Sequence, residues 1–131
     1  MRASEFESIV EQALANIPEE FRARLDNVSI TVEDEPTPAT LEARGVALGG
    51  TLLGLYEGRP LTVRSSFDTF SLPDRITIFQ GPHERLARNR EHLERLVEQT
   101  VWHEIAHYLG MDEDHVRAAE RTRHAHHLWP H

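Results

Sequence analysis

One stretch of the chain decides its fold: residues 101–110 are VWHEIAHYLG, an H-E-x-x-H pattern with glycine three residues later. On a helix His103 and His107 lie one turn apart, with Cβ atoms about 5–6 Å from each other, so both imidazoles can bind one divalent ion. Glu104 starts on a neighbouring face and can take a proton from metal-bound water. With 9 histidines in 131 residues, chance produces this pattern only about 0.07 times per chain. We therefore predict a metal centre on a helix.

The third metal ligand is expected just after Gly110, because a hydrolytic zinc site uses three protein ligands and keeps one position open. Glycine lets the chain reverse at the helix end, which returns residues 111–115 towards the ion. The metzincin spacing of ten residues after the first histidine selects Glu113, but side-chain reach alone leaves its neighbours open. The candidates are Glu113 first, then His115, Asp114 and Asp112. Imidazole and oxygen donors without thiolate favour one Zn²⁺, with manganese, cobalt and nickel as alternatives.

Composition narrows the chemistry that the chain can perform. A length of 131 residues suits one domain. The sequence has no cysteine, which excludes disulfides, thiolate nucleophiles and sulfur-bound zinc, and no lysine, which excludes Schiff-base chemistry. Carboxylate, hydroxyl and imidazole groups remain. The net charge of −8 argues against a protein that binds nucleic acid by neutralising phosphates.

Hydropathy gives no sign of a membrane partner or of export. No segment has the roughly 20 consecutive apolar residues that a membrane span needs. The first twelve residues, MRASEFESIVEQ, are acidic and amphipathic and lack the apolar centre of a signal peptide. We therefore expect a cytoplasmic protein.

The periodicity of apolar residues predicts a small α+β domain. Three- and four-residue spacing predicts a helix over residues 4–17, with a further helical turn to residue 25. Alternating patterns predict strands at 28–32 and 75–79. A further strand is expected at 52–56, closed by Gly58 and Pro60, and a solvated loop at 33–38. One long helix is expected over 84–109, with Leu86 in its buried stripe, and a short helix after Asp112 or Asp114. The sheet of three or four strands should pack on the long helix, between N- and C-terminal helices. We expect one domain over residues 1–120 and a His-rich tail over 121–131.

The arginines of the long helix indicate a solvent-exposed face rather than a surface that binds nucleic acid. Each alternates with glutamate along the helix. Two pairs, Arg90 with Glu94 and Glu91 with Arg95, have the i, i+4 spacing of helical salt bridges.

Three segments of the chain resemble one known family. They are LLGLYEGRPLT (52–62), LPDRITIF (72–79) and VWHEIAHYLGMD (101–112), and the similarity extends from the first helix to about Val116. This order is similar to that of the small bacterial zincin-like metallopeptidases. The resemblance implies a minimal zincin fold, zinc on His103 and His107, and Glu104 as the general base of a peptidase. It also implies an acidic third ligand near Glu113 and a peptide or protein substrate.

In zincins generally, the substrate peptide lies along an exposed sheet edge, which here would come from residues 52–56 or 76–79. Two tyrosines are candidates for contact with that substrate. Tyr108 follows the second histidine and either donates to an oxyanion or, as we expect, packs beneath the helix. Tyr56 would orient substrate if it faced the metal.

Two other functions compete with a peptidase. A bacterial ribosomal-RNA endoribonuclease family uses H-x-x-x-H-x-x-G-Y-D-H, which this chain matches only at His103, His107, Gly110 and Asp112. Glu113 stands where that pattern has its third histidine. The other alternative is a non-catalytic module in which the metal only stabilises a small fold, and such a site would have four protein ligands.

Overall fold

The computed structural model of the protein describes residues 1–47, 49–58 and 74–110. Within these ranges the chain forms five helices and a three-stranded sheet, as the α+β prediction requires. The helices are α1 (Ala3–Ala15), α2 (Glu19–Arg22), α3 (Pro38–Ala43), α4 (Gln80–Leu86) and α5 (Arg90–Tyr108). The strands are β1 (Val28–Glu33), β2 (Gly54–Glu57) and β3 (Asp74–Phe79).

The third strand lies at the centre of the sheet. The strand order is β1-β3-β2, with β1 parallel and β2 antiparallel to β3. Every residue of β3 except Arg75 is buried, as expected for a strand with neighbours on both sides. The alternative that residues 76–79 offer an edge to substrate is therefore wrong, because both edges of β3 are already paired. The two edge strands of the described sheet are β1 and β2.

The core lies where α1 and α5 pack against each other and α5 packs on the sheet. One face of α1 is buried, as its spacing predicts, through Phe6, Ile9, Val10 and Ala13. From the sheet, β3 contributes Ile76 and Ile78, both fully buried. From α5 come Val97, Val101, Trp102 and Ile105, also fully buried. This packing fixes the position of α5, the helix that carries the two motif histidines.

The helix predicted over 84–109 is interrupted, and that part of the prediction is wrong. The chain leaves the helical conformation at Ala87, with ψ of 138°, and α5 begins after Asn89. The Asn89 side chain accepts a hydrogen bond from the backbone N–H of His92 at 2.8 Å, so it caps the new helix. Leu86, expected in the buried stripe, is 55% exposed because it belongs to α4.

The loop predicted at 33–38 covers residues 34–37 in the structure, between the end of β1 at Glu33 and the short helix α3, which begins at Pro38. The Thr37 hydroxyl accepts from the backbone N–H of Thr40 at 3.1 Å, and Pro38 suits the first helical turn. None of the helices in the described part of the chain is long and apolar enough to cross a membrane. The predicted last helix, the domain boundary at residue 120 and the tail over 121–131 lie outside the described residues.

The predicted salt-bridged surface of α5 is confirmed for one of its two pairs. Arg90 Nε lies 3.1 Å from Glu94 Oε2. Within the described ranges, Glu91 and Arg95 form no ion pair with each other. Exposed pairs of this kind contribute little stability, so the alternation of charge mainly keeps this face in water.

A buried histidine in α4, His83, connects this helix to α5. His83 is fully buried, its Nδ1 lies 2.7 Å from the carbonyl oxygen of Phe79, and its Nε2 lies 2.9 Å from Thr100 Oγ1. Because a carbonyl can only accept, Nδ1 carries a hydrogen and donates it. Burial lowers the pKa of His83 by more than the carbonyl groups of Phe79 and Leu96 raise it. The ring is therefore neutral in the folded protein at pH 7.

His83 should make the folded protein less stable in mild acid. Its folded-state pKa is below the ordinary value of 6.5, so the unfolded chain binds the proton first as pH falls. The free energy of unfolding should then decrease below pH 6.5, approaching about 1.4 kcal/mol per pH unit until the folded-state pKa is reached. Urea denaturation from pH 7.5 to 5 should show a shallower slope for His83→Asn than for the wild type. Equal slopes in the two proteins would contradict this role.

Candidate metal centre

The structure brings together the three residues that the H-E-x-x-H pattern selects. Ligand atoms of His103, Glu104 and His107 all lie within 4.8 Å of one another on the last two turns of α5. The imidazole ring centroids are 4.4 Å apart. His107 Nδ1 is 3.5 Å from Glu104 Oε1. Within the described ranges this is the one group of three or more histidine and acidic side chains that could hold a metal ion.

Differences in burial suit these residues to different tasks. The His107 side chain is 43% exposed, whereas that of Glu104 is only 10% exposed. Two imidazoles at the surface of a cleft, with a carboxylate held beneath them, fit a divalent ion such as zinc, which prefers nitrogen and oxygen donors of this kind. The donor set therefore matches the metal that the sequence predicts.

As the sequence predicts, Gly110 follows the end of the helix, whose last residue is Tyr108. This glycine has φ of 75°, in the left-handed region, and its backbone N–H donates to the carbonyl oxygen of His107 at 3.0 Å. The helix thus ends within three residues of the second histidine. The candidates for the third ligand, Glu113, His115, Asp114 and Asp112, lie outside the described residues, and the third ligand remains a prediction.

Gly54 in β2 is a functional residue that the sequence analysis did not select. A Cβ atom at this position would lie 2.7 Å from Thr100 Cγ2 and 3.1 Å from Glu104 Cγ. The absence of a side chain therefore lets the β2 backbone approach α5 at the level of Glu104. A glycine inside a strand pattern is a recognised sign of such close approach, and this signal was present at residue 54.

An open cleft of about 730 Å³ runs past the three clustered residues. One wall is α5, and the other is the edge strand β2 with the segment before it. The lining residues are Arg44, Leu52, Gly54, Leu55, Tyr56, Gly58, His103, Glu104, His107 and Gly110. Arg44 was also missed, because it follows α3 and only the folded chain brings it to the cleft. The cleft therefore leaves the two histidines accessible from outside the protein.

The two tyrosines have structural contacts that define their roles. Tyr108 is fully buried, and its ring packs edge-on against Tyr56 with centroids 6.1 Å apart, so the expected packing role is confirmed. The Tyr56 hydroxyl donates to Asp74 Oδ2 at 2.5 Å, so the hydroxyl is held at the first residue of β3. Gly58 permits this arrangement, because a Cβ there would lie 2.3 Å from Asp74 Cγ.

Comparison with known proteins agrees with this geometry. The family model described as zincin-like metallopeptidase matches residues 25–123. The chain belongs to the zincin-like metallopeptidase family. No curated protein matches the sequence. A solved structure of a conserved hypothetical protein from Thermus thermophilus is similar, with 25% sequence identity and a TM-score of 0.57, over 92% of this chain and 99% of that chain. As a zincin-like metallopeptidase, the protein is expected to carry a divalent metal, usually zinc, and the clustered histidines are suited to hold it.

Each motif histidine should be necessary for metal binding. Loss of partners that only orient a ligand weakens metal binding about 10–100-fold, so His103→Ala and His107→Ala should each weaken it at least that much. Zinc content per chain, measured by plasma mass spectrometry after dialysis against a weak chelator, should fall accordingly. His92→Ala removes a histidine from the same helix outside the cluster and should retain the wild-type zinc content. Full zinc content in both motif variants would rule out this centre.

The approach of β2 to α5 should depend on the size of residue 54. Gly54→Ala places a methyl group against Thr100 and should cost about 1–3 kcal/mol of unfolding free energy by overpacking. Thr100→Ser removes the contacted methyl but keeps the hydroxyl that faces His83. The double variant should therefore recover part of the stability lost in Gly54→Ala, measured by urea denaturation. If the losses of unfolding free energy in the two single variants simply add in the double variant, the contact with the Thr100 methyl does not limit how closely β2 approaches α5.

Proposed function

We propose that the protein is a zinc-dependent peptidase that hydrolyses peptide bonds in its cleft. The observation that carries this proposal is the cluster of His103, Glu104 and His107, which opens on a cleft beside an edge strand. Family membership supports the same reaction class. The substrate would be a peptide or an unstructured segment of a protein.

His103 and His107 would hold the metal, with the third ligand supplied by residues 112–115 and Glu113 as the first candidate. Bound zinc would supply Lewis acidity, which activates water and polarises the peptide carbonyl. The described histidines contribute imidazole nitrogen donors, and the exposure of His107 leaves room for substrate on the cleft side.

Glu104 would be the general base. Its carboxylate lies below the cleft, 3.5 Å from His107 Nδ1, and is held against the β2 backbone at Gly54. In this position it can accept the proton of the attacking water and then deliver that proton to the leaving amine. Its low exposure keeps the proton transfer away from bulk solvent.

The edge of β2 would bind the substrate backbone. The carbonyl of Leu53 accepts from the N–H of Phe79 at 3.0 Å, so it faces β3. Because backbone groups alternate along an antiparallel pair, those of Leu55 also face β3 whereas those of Gly54 and Tyr56 face outward. An extended peptide can therefore pair with the outward groups of Gly54 and lie beside Glu104.

The competing functions have less support. Endoribonuclease chemistry of the type considered above places histidine where this chain has Glu113, and a net charge of −8 disfavours binding of RNA. A purely structural metal site is closed by four protein ligands. The open cleft beside a half-exposed His107 is instead suited to a reacting molecule.

Removal of the carboxylate at residue 104 should separate catalysis from metal binding. Glu104→Gln should retain zinc but reduce peptide hydrolysis by about 100–10,000-fold, the contribution typical of a general base. Cleavage of a peptide library by the zinc-loaded protein, followed by mass spectrometry, measures turnover. Glu94→Gln, on the exposed face of the same helix, serves as the control and should keep wild-type activity. Undiminished hydrolysis by Glu104→Gln, or cleavage of structured RNA but not of peptides, would refute the proposal.

A further inference from the structure

Arg44 is a cationic side chain in the cleft that the reaction described above does not use. It directly follows α3, and its Nη2 donates to the backbone carbonyl of Tyr56 at 3.0 Å. It lines the same cleft as His103, Glu104 and His107. Within the described parts of the chain no carboxylate pairs with it. By contrast, Arg75 on the neighbouring strand β3 is paired with Glu57 at 2.9 Å.

The hydrogen bond to Tyr56 places Arg44 on the substrate edge of β2. The Tyr56 carbonyl faces away from β3, so the guanidinium occupies an acceptor that a pairing peptide would otherwise use. The backbone of a substrate can therefore form hydrogen bonds with Gly54, but at Tyr56 this pairing stops and the substrate meets the Arg44 side chain. Gly54 lies against Glu104, and two residues of strand span about 7 Å. Arg44 thus lies about two substrate residues from the bond that would be cleaved.

The chemistry of the guanidinium defines what it can bind there. Arginine has five N–H donors in a planar fork and no acceptor, and the Tyr56 carbonyl engages only one of its nitrogens. A carboxylate is the peptide group that matches this fork in both charge and geometry.

We propose that Arg44 selects substrates with a carboxylate about two residues from the cleaved bond. This inference rests on the proposed peptidase function and specifies its substrate class. The carboxylate belongs either to an acidic side chain or to the free C-terminus of the peptide. A free C-terminus fits this place because backbone pairing with β2 stops at Tyr56. An acidic side chain fits it because it carries the same carboxylate group.

The test uses the zinc-loaded protein and one cleaved peptide in four forms. In two forms, glutamate occupies every position within two residues of the cleaved bond, and in the other two forms glutamine occupies those positions. Within each pair, the C-terminus lies two residues from the cleaved bond and is a free acid in one peptide and an amide in the other. Charge-assisted hydrogen bonds typically change affinity about 10–100-fold, so kcat/KM should fall by that factor when the preferred carboxylate is replaced. The pair of peptides that shows the difference identifies the source of the carboxylate.

Three variants assign the preference to Arg44. Arg44→Gln should abolish the difference between acidic and neutral peptides while still cleaving the neutral ones. Arg44→Lys, which keeps the charge but loses the fork, should retain part of the preference. Arg75→Gln breaks the exposed pair with Glu57 on the same sheet and should leave the preference unchanged. Equal kcat/KM for all four peptides with the wild type, or a preference that survives in Arg44→Gln, overturns the inference.

A binding measurement separates this inference from the peptidase proposal. Fluorescence anisotropy with labelled peptides and Glu104→Gln should show tighter binding of the carboxylate form, and the added Arg44→Gln substitution should remove that difference. If the wild type cleaves no peptide but this pattern is found, the peptidase proposal fails and the role of Arg44 stands. If cleavage occurs without a carboxylate preference in either assay, the role of Arg44 fails and the peptidase proposal stands.

Discussion

The close approach of β2 to α5 at Gly54 is the constraint on which the site depends. The strand backbone lies so near Thr100 and Glu104 that no side chain fits between them. This contact places the edge of the sheet beside the two imidazoles and covers the Glu104 carboxylate. The Thr100 hydroxyl also contacts the buried ring of His83 in α4. The edge of β2 therefore positions the Glu104 carboxylate, and α4 contacts the preceding turn of α5 through Thr100.

Much of the fold follows from local patterns. The spacing of Phe6, Ile9, Val10 and Ala13 identifies the buried face of α1. Alternation identifies β1 and β3, and an apolar run that ends before Gly58 identifies β2. The site is even more predictable, because His103, Glu104 and His107 lie within two turns of one helix and their proximity follows from helical geometry alone. Gly110 likewise marks the helix end through its left-handed conformation.

Features that depend on tertiary structure were not predictable in the same way. Nothing in the local pattern around Arg44 shows that it reaches the carbonyl of Tyr56, because that contact depends on how the segment after α3 crosses the strand edge. The central position of β3 is set by its pairing partners rather than by its own alternation. Asn89 caps α5 and so marks the interruption between α4 and α5. Asparagine also occurs within helices, however, so the sequence alone does not show that this residue is a cap.

The contact between Gly58 and Asp74 has a consequence for substitution at residue 58. A Cβ atom there would lie 2.3 Å from Asp74 Cγ, and Gly58 has φ of 145°, which residues with a side chain rarely adopt. Asp74 also accepts the hydrogen bond that the Tyr56 hydroxyl donates. A larger residue at position 58 would therefore displace the acceptor of that bond and disturb the end of β2 that borders the cleft.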